Sequence, residues 1–524
     1  MHKRLWQLVI MGVIILCSWL LPTEIHAQTS ATHVMLVYDS RNVANNDQTK
    51  IAMIQRILTG LHISIKTVAA EDYHAGELRH YQGVITLINW PQTKLNNAAF
   101  IKDRKQFSGT KLHIGTNLTA IEAQQLNAQP VKVYQQQFFL QSNDQQVRQL
   151  LPFMSSMTAL TKLPAKAKTI GYLRAQSSLK HEYPYGTIVG RYGYLPYLST
   201  GGYSLVLATQ TMATLFGTRS HYQPLLTITK VTPYSNLNLL NKLSATLYQQ
   251  GIPFAVSTTT VGTNGKFKAY QRFAKVLRLI ENRGGVIFLK TPVVGGVTAS
   301  SGPGLSKLMD SYVIQLAQNQ VYPVGISASA YWNQDRVYRQ NALTKANQVL
   351  LLPDPKVTTY AHQDNQGTVF DQAFYGVSAK SFVTLKSGDQ LSKLALNFAI
   401  PTALTMTMPD SETSLHNLTR QLSRMNYQWF DPAQQMTTTM LKSGTATISY
   451  RRGTYLLNGA PIQVTDNAPA TTTLAAVKPA ESWMNRFFKT QGSVLLIFFS
   501  VTLGIFVLFI VIGRRVYLNM FKPK

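Results

Sequence analysis

Cysteine is almost absent: the chain has 524 residues and a single Cys, Cys17. That excludes a disulfide framework and a multi-thiolate zinc site. It also argues against a cysteine nucleophile, because Cys17 sits in a leader-like stretch. Acidic residues are scarce too, with 22 Asp+Glu against 50 Lys+Arg and a formal net charge of +28. No long Lys/Arg block concentrates that excess, and no glycine-rich phosphate loop follows any strand candidate. What is present is ordinary hydrophobic content, 45%, which excludes wholesale disorder. The length predicts about two to four domains.

The two ends set the expected compartment. Residues 1–27 read as a secretory signal, with Lys3 and Arg4 ahead of an apolar run from Leu8 to Leu21, and Ile25-His26-Ala27 at a plausible cleavage point. An uncleaved anchor is the alternative. Residues 492–513 form a run of 22 residues without a charge. At about 1.5 Å rise per residue, a helix of that length crosses a hydrocarbon core of about 30 Å; a buried helix of a soluble protein is the alternative. The tail 514–524 carries Arg514, Arg515, Lys522 and Lys524 and no acid. The positive-inside bias places it in the cytoplasm, so the bulk of a single-pass cell-membrane protein lies outside. The signal contributes +1 and the tail +4, which leaves +23 of the +28 on residues 28–491. Such a field favours anionic neighbours: lipid headgroups, teichoic-acid-like polymers or acidic glycans. The compartment argues against nucleic acid as a partner.

Residues 28–165 carry short apolar runs alternating with helix-length stretches. Val34–Tyr38, Ile63–Val68, Gly83–Ile88 and Lys111–Gly115 are strand candidates, and Thr49–Leu58 places Ile51, Ile54 and Leu58 on one helix face. The pattern predicts a doubly wound parallel sheet. Beyond its strand ends, where such sheets bind ligands, stand Asp39-Ser40, Asn89-Trp90 and Thr116-Asn117; this unit reads as non-catalytic. Residues 166–223, rich in Tyr, Gly and Pro, predict a β-rich connecting segment of short strands and turns. Its tyrosines could stack on sugars or simply favour sheet.

A second α/β alternation runs over 224–460. Its strand candidates are Leu225–Val231, Pro253–Ser257, Val286–Leu289 and Val324–Ile326, and its helix candidates are Leu237–Gln250, Tyr270–Asn282 and Met309–Asn319. The alternation continues through Leu394–Ile400 and Leu415–Met425. Repeated βα units of this extent predict a distorted or incomplete barrel. Gly295–Lys307 reads as a flexible loop at its mouth, and Thr445–Leu457 as a hairpin turning at Arg451-Arg452-Gly453. Residues 461–491, which include TDNAPATTTLAAVKPAE, read as a Thr/Ala/Pro-rich stalk to the membrane.

The stretches ITKVTPYSNLNLLNKLSATLYQQGIPFAVSTTTV (228–261) and FAKVLRLIENRGGVIFLKTPVV (273–294) resemble the uncharacterised, membrane-anchored polysaccharide-deacetylase-like proteins of bacterial envelopes. The resemblance spans roughly residues 33–460. It implies an amino-terminal flavodoxin-like or amidotransferase-like domain followed by a deacetylase-type (β/α) barrel, with one carboxy-terminal transmembrane helix. The family's chemistry needs a divalent metal held by an Asp and a His-x-x-x-His pair. Here Lys230 stands at the Asp position, and the His pair would fall at Lys290 and Val294. A later family segment carrying Pro-His-Tyr matches Ser327–Tyr331 without its His. The resemblance therefore implies the fold and argues against its reaction.

These substitutions leave two readings: a cationic pocket that takes a carboxylate or phosphate on a glycan, or a decayed site whose lysines reach solvent or pair with nearby acids. Lys230, Lys290, Tyr331 and Trp332 are the candidate glycan- or anion-binding residues, with no catalytic residue and no metal or other cofactor. The alternative is an active carbohydrate esterase or deacetylase with a displaced zinc site, or a serine site built from Ser327, His362 and Asp364. Gly325–Ser329 lacks the last glycine of a nucleophile elbow, and Asp410 and Glu412 bear no mark of an acid–base pair. The expectation is a pseudoenzyme of cell-envelope or exopolysaccharide biogenesis that binds or guides an anionic or neutral polysaccharide. On topology alone, a membrane polysaccharide synthase is a candidate partner.

Overall fold

The computed structural model describes residues 32–40, 47–90, 95–144, 147–176, 181–218, 221–263, 265–355, 364–383, 396, 398–425, 427–444, 446–464 and 483–520. The signal-like leader, most of the stalk and His362 lie outside the described residues.

The chain begins with β1 (Thr32–Tyr38), β2 (Ile63–Ala69), β3 (Gly83–Ile88) and β4 (Thr110–Gly115), paired in parallel in the order β2-β1-β3-β4. Val34 stands beside Ile65, and Leu36 beside Ile85. Both faces of this sheet are covered, so its strands are continuous apolar runs rather than alternating ones. On one face Val34 and Leu36 meet Ile51, Ile54 and Leu58 of the helix Asp47–Gly60. On the other, Met35, Val37 and Val84 pack under Tyr73, Leu78 and Phe100, the last from the helix Ala98–Gln106.

Next come β5 (Gln129–Gln136), β6 (Phe138–Gln141), β7 (Arg148–Leu150), β8 (Met154–Thr161), β9 (Lys168–Ala175), β10 (Glu182–Val189) and β11 (Tyr192–Leu195). β5 pairs only with β8, while the others join the first sheet through β11, which runs parallel to β4 with Tyr192 beside Lys111. The strands expected in 166–223 therefore form as an extension of the amino-terminal sheet. The same segment also holds an unexpected helix, Gly202–Leu215, buried almost all round. A helix with no polar face leaves no 3.6-residue periodicity to read.

Seven parallel strands then close a barrel: β12 (Leu225–Val231), β13 (Phe254–Thr258), β14 (Val286–Lys290), β15 (Gly325–Ser329), β16 (Gln348–Leu352), and, after the two-residue β17 (Gln366–Gly367), β18 (Gln372–Ser378) and β19 (Thr402–Thr407). Closure is made by β19 against β12, with Leu225 beside Ala403 and Thr229 beside Thr407. Helices Leu237–Gln249, Lys268–Asn282, Gly302–Gln318 and Glu412–Ser423 lie between successive strands or follow the last.

Two expectations are corrected here. Of the strand placed at Leu394–Ile400, residues 394, 395 and 397 lie outside the described residues and 396 and 398–400 are in no named strand. The barrel strand lies at Thr402–Thr407, just past Pro401, a residue that cannot donate to a ladder. The loop expected through Lys307 ends at Ser301, where Gly302-Pro303 opens a helix; proline at the first helical turn loses no intrahelical bond.

Between β16 and β18 no helix lies among the described residues. β17 instead pairs antiparallel with β2, Gln366 beside Lys66. The helix Asp47–Gly60 takes the vacant place: Gly60 lies against Ile400 and the Ala373 carbonyl, and Arg56 reaches the Leu351 and Gly376 carbonyls. The two α/β units consequently share one hydrophobic core.

β20 (Thr439–Ser443), β21 (Ala446–Arg451), β22 (Thr454–Leu457) and β23 (Ala460–Ile462) form a four-stranded antiparallel sheet. The expected hairpin turns at Arg452 and Gly453, both at positive φ (47° and 80°), as a type I′ turn requires. The last helix, Trp483–Met520, contains a 22-residue stretch, Leu495–Val516, whose most apolar 18 residues have a mean hydropathy of 3.1, long and apolar enough to cross a membrane.

Candidate binding site at the barrel mouth

The carboxyl ends of the barrel strands define the mouth, where parallel barrels gather their functional side chains. β12 reaches it with an irregularity: its register against β13 shifts between Ile228 and Val231, and Lys230 takes φ 61°. A left-handed lysine in a bulged strand is a side chain re-aimed by its backbone. Lys230 is exposed. β14 ends at Lys290, half-buried. Burial holds the Lys290 ammonium below its ordinary 10.5, and the positive charge of Lys230 adds to the depression. No ion pair is made by either lysine among the described residues. Lys230 and Lys290 thus act on each other through their charges, while Val294 is a partly buried apolar side chain packed against the core.

Hydroxyl-bearing residues flank the pair in sequence. Thr258 donates to the Val231 carbonyl at 3.1 Å, the Thr259 N–H donates to the same oxygen at 3.1 Å, and the Thr232 N–H donates to Ser235 at 2.9 Å. Thr291 follows Lys290, its N–H on the Ser327 carbonyl at 2.9 Å.

Tyr331 and Trp332 part company. The Tyr331 N–H donates to the Asp354 carboxylate at 2.9 Å, and its half-exposed ring meets Tyr338 edge to face at 5.5 Å. Burial pushes the Tyr331 phenol up to about 12. Trp332 is 1% exposed and packed edge to face against Tyr338, so it belongs to the core and offers no face to a ligand. The sequence reading passed over Asp354, which stands just past β16. Burial raises its pKa, against the Tyr331 N–H and the Arg56 charge, which lower it. Its signal was a lone carboxylate after the buried run Gln348–Leu352.

The serine constellation is not assembled among the described residues. Ser327 is fully buried inside the barrel, its hydroxyl 2.7 Å from that of Ser257. Asp364 lies at the seam with the first unit, where its carbonyl accepts from Lys66 at 2.8 Å and its carboxylate faces Arg339 at 3.5 Å. Nor do the residues at the matched positions fit a metal: two ammonium groups repel a cation, and Val294 has no donor atom. Among the described residues, no three His, Cys, Asp or Glu side chains come together as a ligand set.

At the carboxyl end of β1 in the first sheet, Asp39 accepts from the Ser40 and Asn89 N–H groups at 2.8 Å each and from that of Trp90 at 3.0 Å. This carboxylate ties β1 to β3. Elsewhere in the same unit, Glu122 is buried against Arg104 and His113.

No family model matches the chain, and no curated protein matches it. Among solved structures, a putative ThuA-like protein from Parabacteroides merdae aligns with 9% identity and a TM-score of 0.25, over 37% of this chain and 93% of that one.

Proposed function

We propose that the barrel mouth binds an anionic stretch of a cell-surface polysaccharide and that the protein serves envelope or exopolysaccharide biogenesis by binding or guiding glycan rather than by hydrolysing it. In this reading the carboxy-terminal helix anchors the chain in the membrane, with its bulk outside the cytoplasm. The observation that carries the proposal is the Lys230–Lys290 pair: two like charges at the carboxyl ends of barrel strands, one exposed and one half-buried, with no ion pair to either among the described residues. Keeping two cations together without a counter-ion costs free energy, and an incoming carboxylate or phosphate relieves that cost. Tyr331, partly buried just past the carboxyl end of β15, supplies a phenol and a ring that a sugar uses. The deacetylase-like resemblance supports the same class of ligand, and the matched lysines remove the metal chemistry from it.

The test uses the full chain in detergent micelles. Calorimetric titration with uronate- or phosphate-bearing oligosaccharides is expected to show binding that falls at least tenfold in Lys230→Gln/Lys290→Gln. Acetate release from acetylated chitooligosaccharides is expected to be absent with or without zinc. Zinc-dependent acetate release, or anionic-glycan binding that ignores both lysines, overturns the proposal.

A further inference from the structure

Three loops leave the barrel mouth side by side, because β12, β13 and β14 are neighbours: 232–236, 259–267 and 291–301. Each turns one large apolar side chain to solvent. Tyr234 is 91% exposed, Phe267 62% and Val293 97%. Lys230, Lys266, Lys268 and Lys290 stand in or beside the same loops, and the stretches 229–236, 259–268 and 290–301 contain no Asp or Glu. Lys266, Phe267 and Lys268 are consecutive and all exposed.

A single exposed apolar side chain is ordinary. Three on adjacent loops of one face, interleaved with lysines and free of acids, form a surface apolar at its tips and cationic at its base. That is the chemistry of a bilayer interface, where Tyr and Phe rings settle at headgroup depth and lysine stems reach anionic phosphates. Two acids follow β19, the other neighbour of β12: Asp410, which accepts from Ser414 at 2.9 Å, and Glu412, which pairs with Lys242. The opposite face gives a contrast. Tyr248, 61% exposed near the end of the helix Leu237–Gln249, is flanked by Leu247, Gln249 and Gln250, without a charge. The same chain carries a helix able to cross a membrane, so a bilayer is the partner at hand.

We infer that this lip docks the barrel mouth on an anionic lipid surface. Its occupant is the headgroup layer of a bilayer containing acidic phospholipid. Docking stands without the glycan-binding reading; together, the two make the ligand of Lys230 and Lys290 one presented at the membrane.

The experiment uses the full chain reconstituted in nanodiscs of phosphatidylcholine, alone or mixed with phosphatidylglycerol, with no glycan present. Its failure is therefore separate from that of the oligosaccharide titration in micelles. An environment-sensitive fluorophore is placed at Val293→Cys or, as the control, at Tyr248→Cys, each in a Cys17→Ser background, and quenching by brominated lipid is read. Quenching at position 293 is expected to rise several-fold with phosphatidylglycerol and to fall as salt is raised, while position 248 stays unchanged. Lys266→Glu/Lys268→Glu, at two exposed positions that leave the core intact, is expected to abolish the rise, since each lysine near an anionic surface is worth roughly a factor of five in affinity. Equal quenching in both lipid mixtures, no quenching at position 293, or equal quenching at position 248 overturns the inference.

Discussion

Arg56, in a helix of the amino-terminal unit, donates to the Gly376 carbonyl in the barrel wall at 2.6 Å. The guanidinium also lies over the Tyr375 ring, 4.3 Å from its centroid, and is almost wholly buried. A planar group with five donors can serve two strand carbonyls and a ring together, which an ammonium cannot. The contact locks the helix Asp47–Gly60 into the space between β16 and β18, so the first unit becomes part of the barrel's outer layer.

Arg56→Met keeps much of the apolar stem but strands the Gly376 and Leu351 carbonyls. The expected loss is on the order of 1–3 kcal/mol for the orphaned buried acceptors, read as a lower denaturant midpoint. If the two units fold independently the transition will split; a single, shifted transition is expected because they share one core.

Glu122 accepts from His113 at 3.0 Å and from the Thr119 N–H at 2.7 Å, and it pairs with Arg104. Burial opposes its ionisation, yet His113, Arg104 and these hydrogen bonds outweigh burial and hold the carboxyl well below its ordinary 4.5. A depressed folded value means that the stability is complete above pH 4.5 and drains away as pH falls through the lower folded value. Glu122→Gln is expected to cost about 3–5 kcal/mol at neutral pH, the cost of breaking a buried pair, and to flatten the acid limb of a melting-temperature profile.

Glu281 behaves in the opposite sense. It is buried where the helix Lys268–Asn282 meets Tyr322 and Tyr455, and burial pushes its carboxyl up to about 8, against the Tyr322 N–H and Arg278. The folded protein keeps this proton over a range in which the unfolded chain has released it, so stability falls as pH rises from 4.5 towards 8. Glu281→Gln retains an acceptor for the Tyr322 N–H, now at 2.8 Å. Melting temperatures across that interval are expected to lose the downward slope in the variant.

The depressed pKa of Lys290 gives the mouth its own pH signature. Affinity for an anionic oligosaccharide is expected to fall as pH rises through that lowered value, before ordinary exposed lysines titrate. Lys290→Arg, whose guanidinium stays charged, is expected to carry binding to higher pH. An unchanged pH profile in the variant would assign the anion site elsewhere.

Much of this architecture is legible in the chain itself. β3 was read at its observed limits because six consecutive apolar or small residues buried on both faces can be little else, and the hairpin turns where Arg451-Arg452-Gly453 said it would. β16 and β18 went unread although they are as apolar, since no helix among the described residues between them marks a βα unit. Lys230 and Lys290 were picked out one at a time by resemblance; Trp332, chosen as a ligand contact, proved to be core, because burial is not a property of residue type.

Local pattern, then, determined what depends on near neighbours: most strands and helices, the apolar carboxy-terminal span and the cationic character of the chain. Only the tertiary structure decided that seven strands close on themselves, that a helix from the first unit fills the gap beside β18, and that two lysines far apart in sequence share one mouth. Those outcomes rest on contacts between distant segments, whose energies depend on which surfaces meet, and no stretch of sequence read by itself contains that pairing.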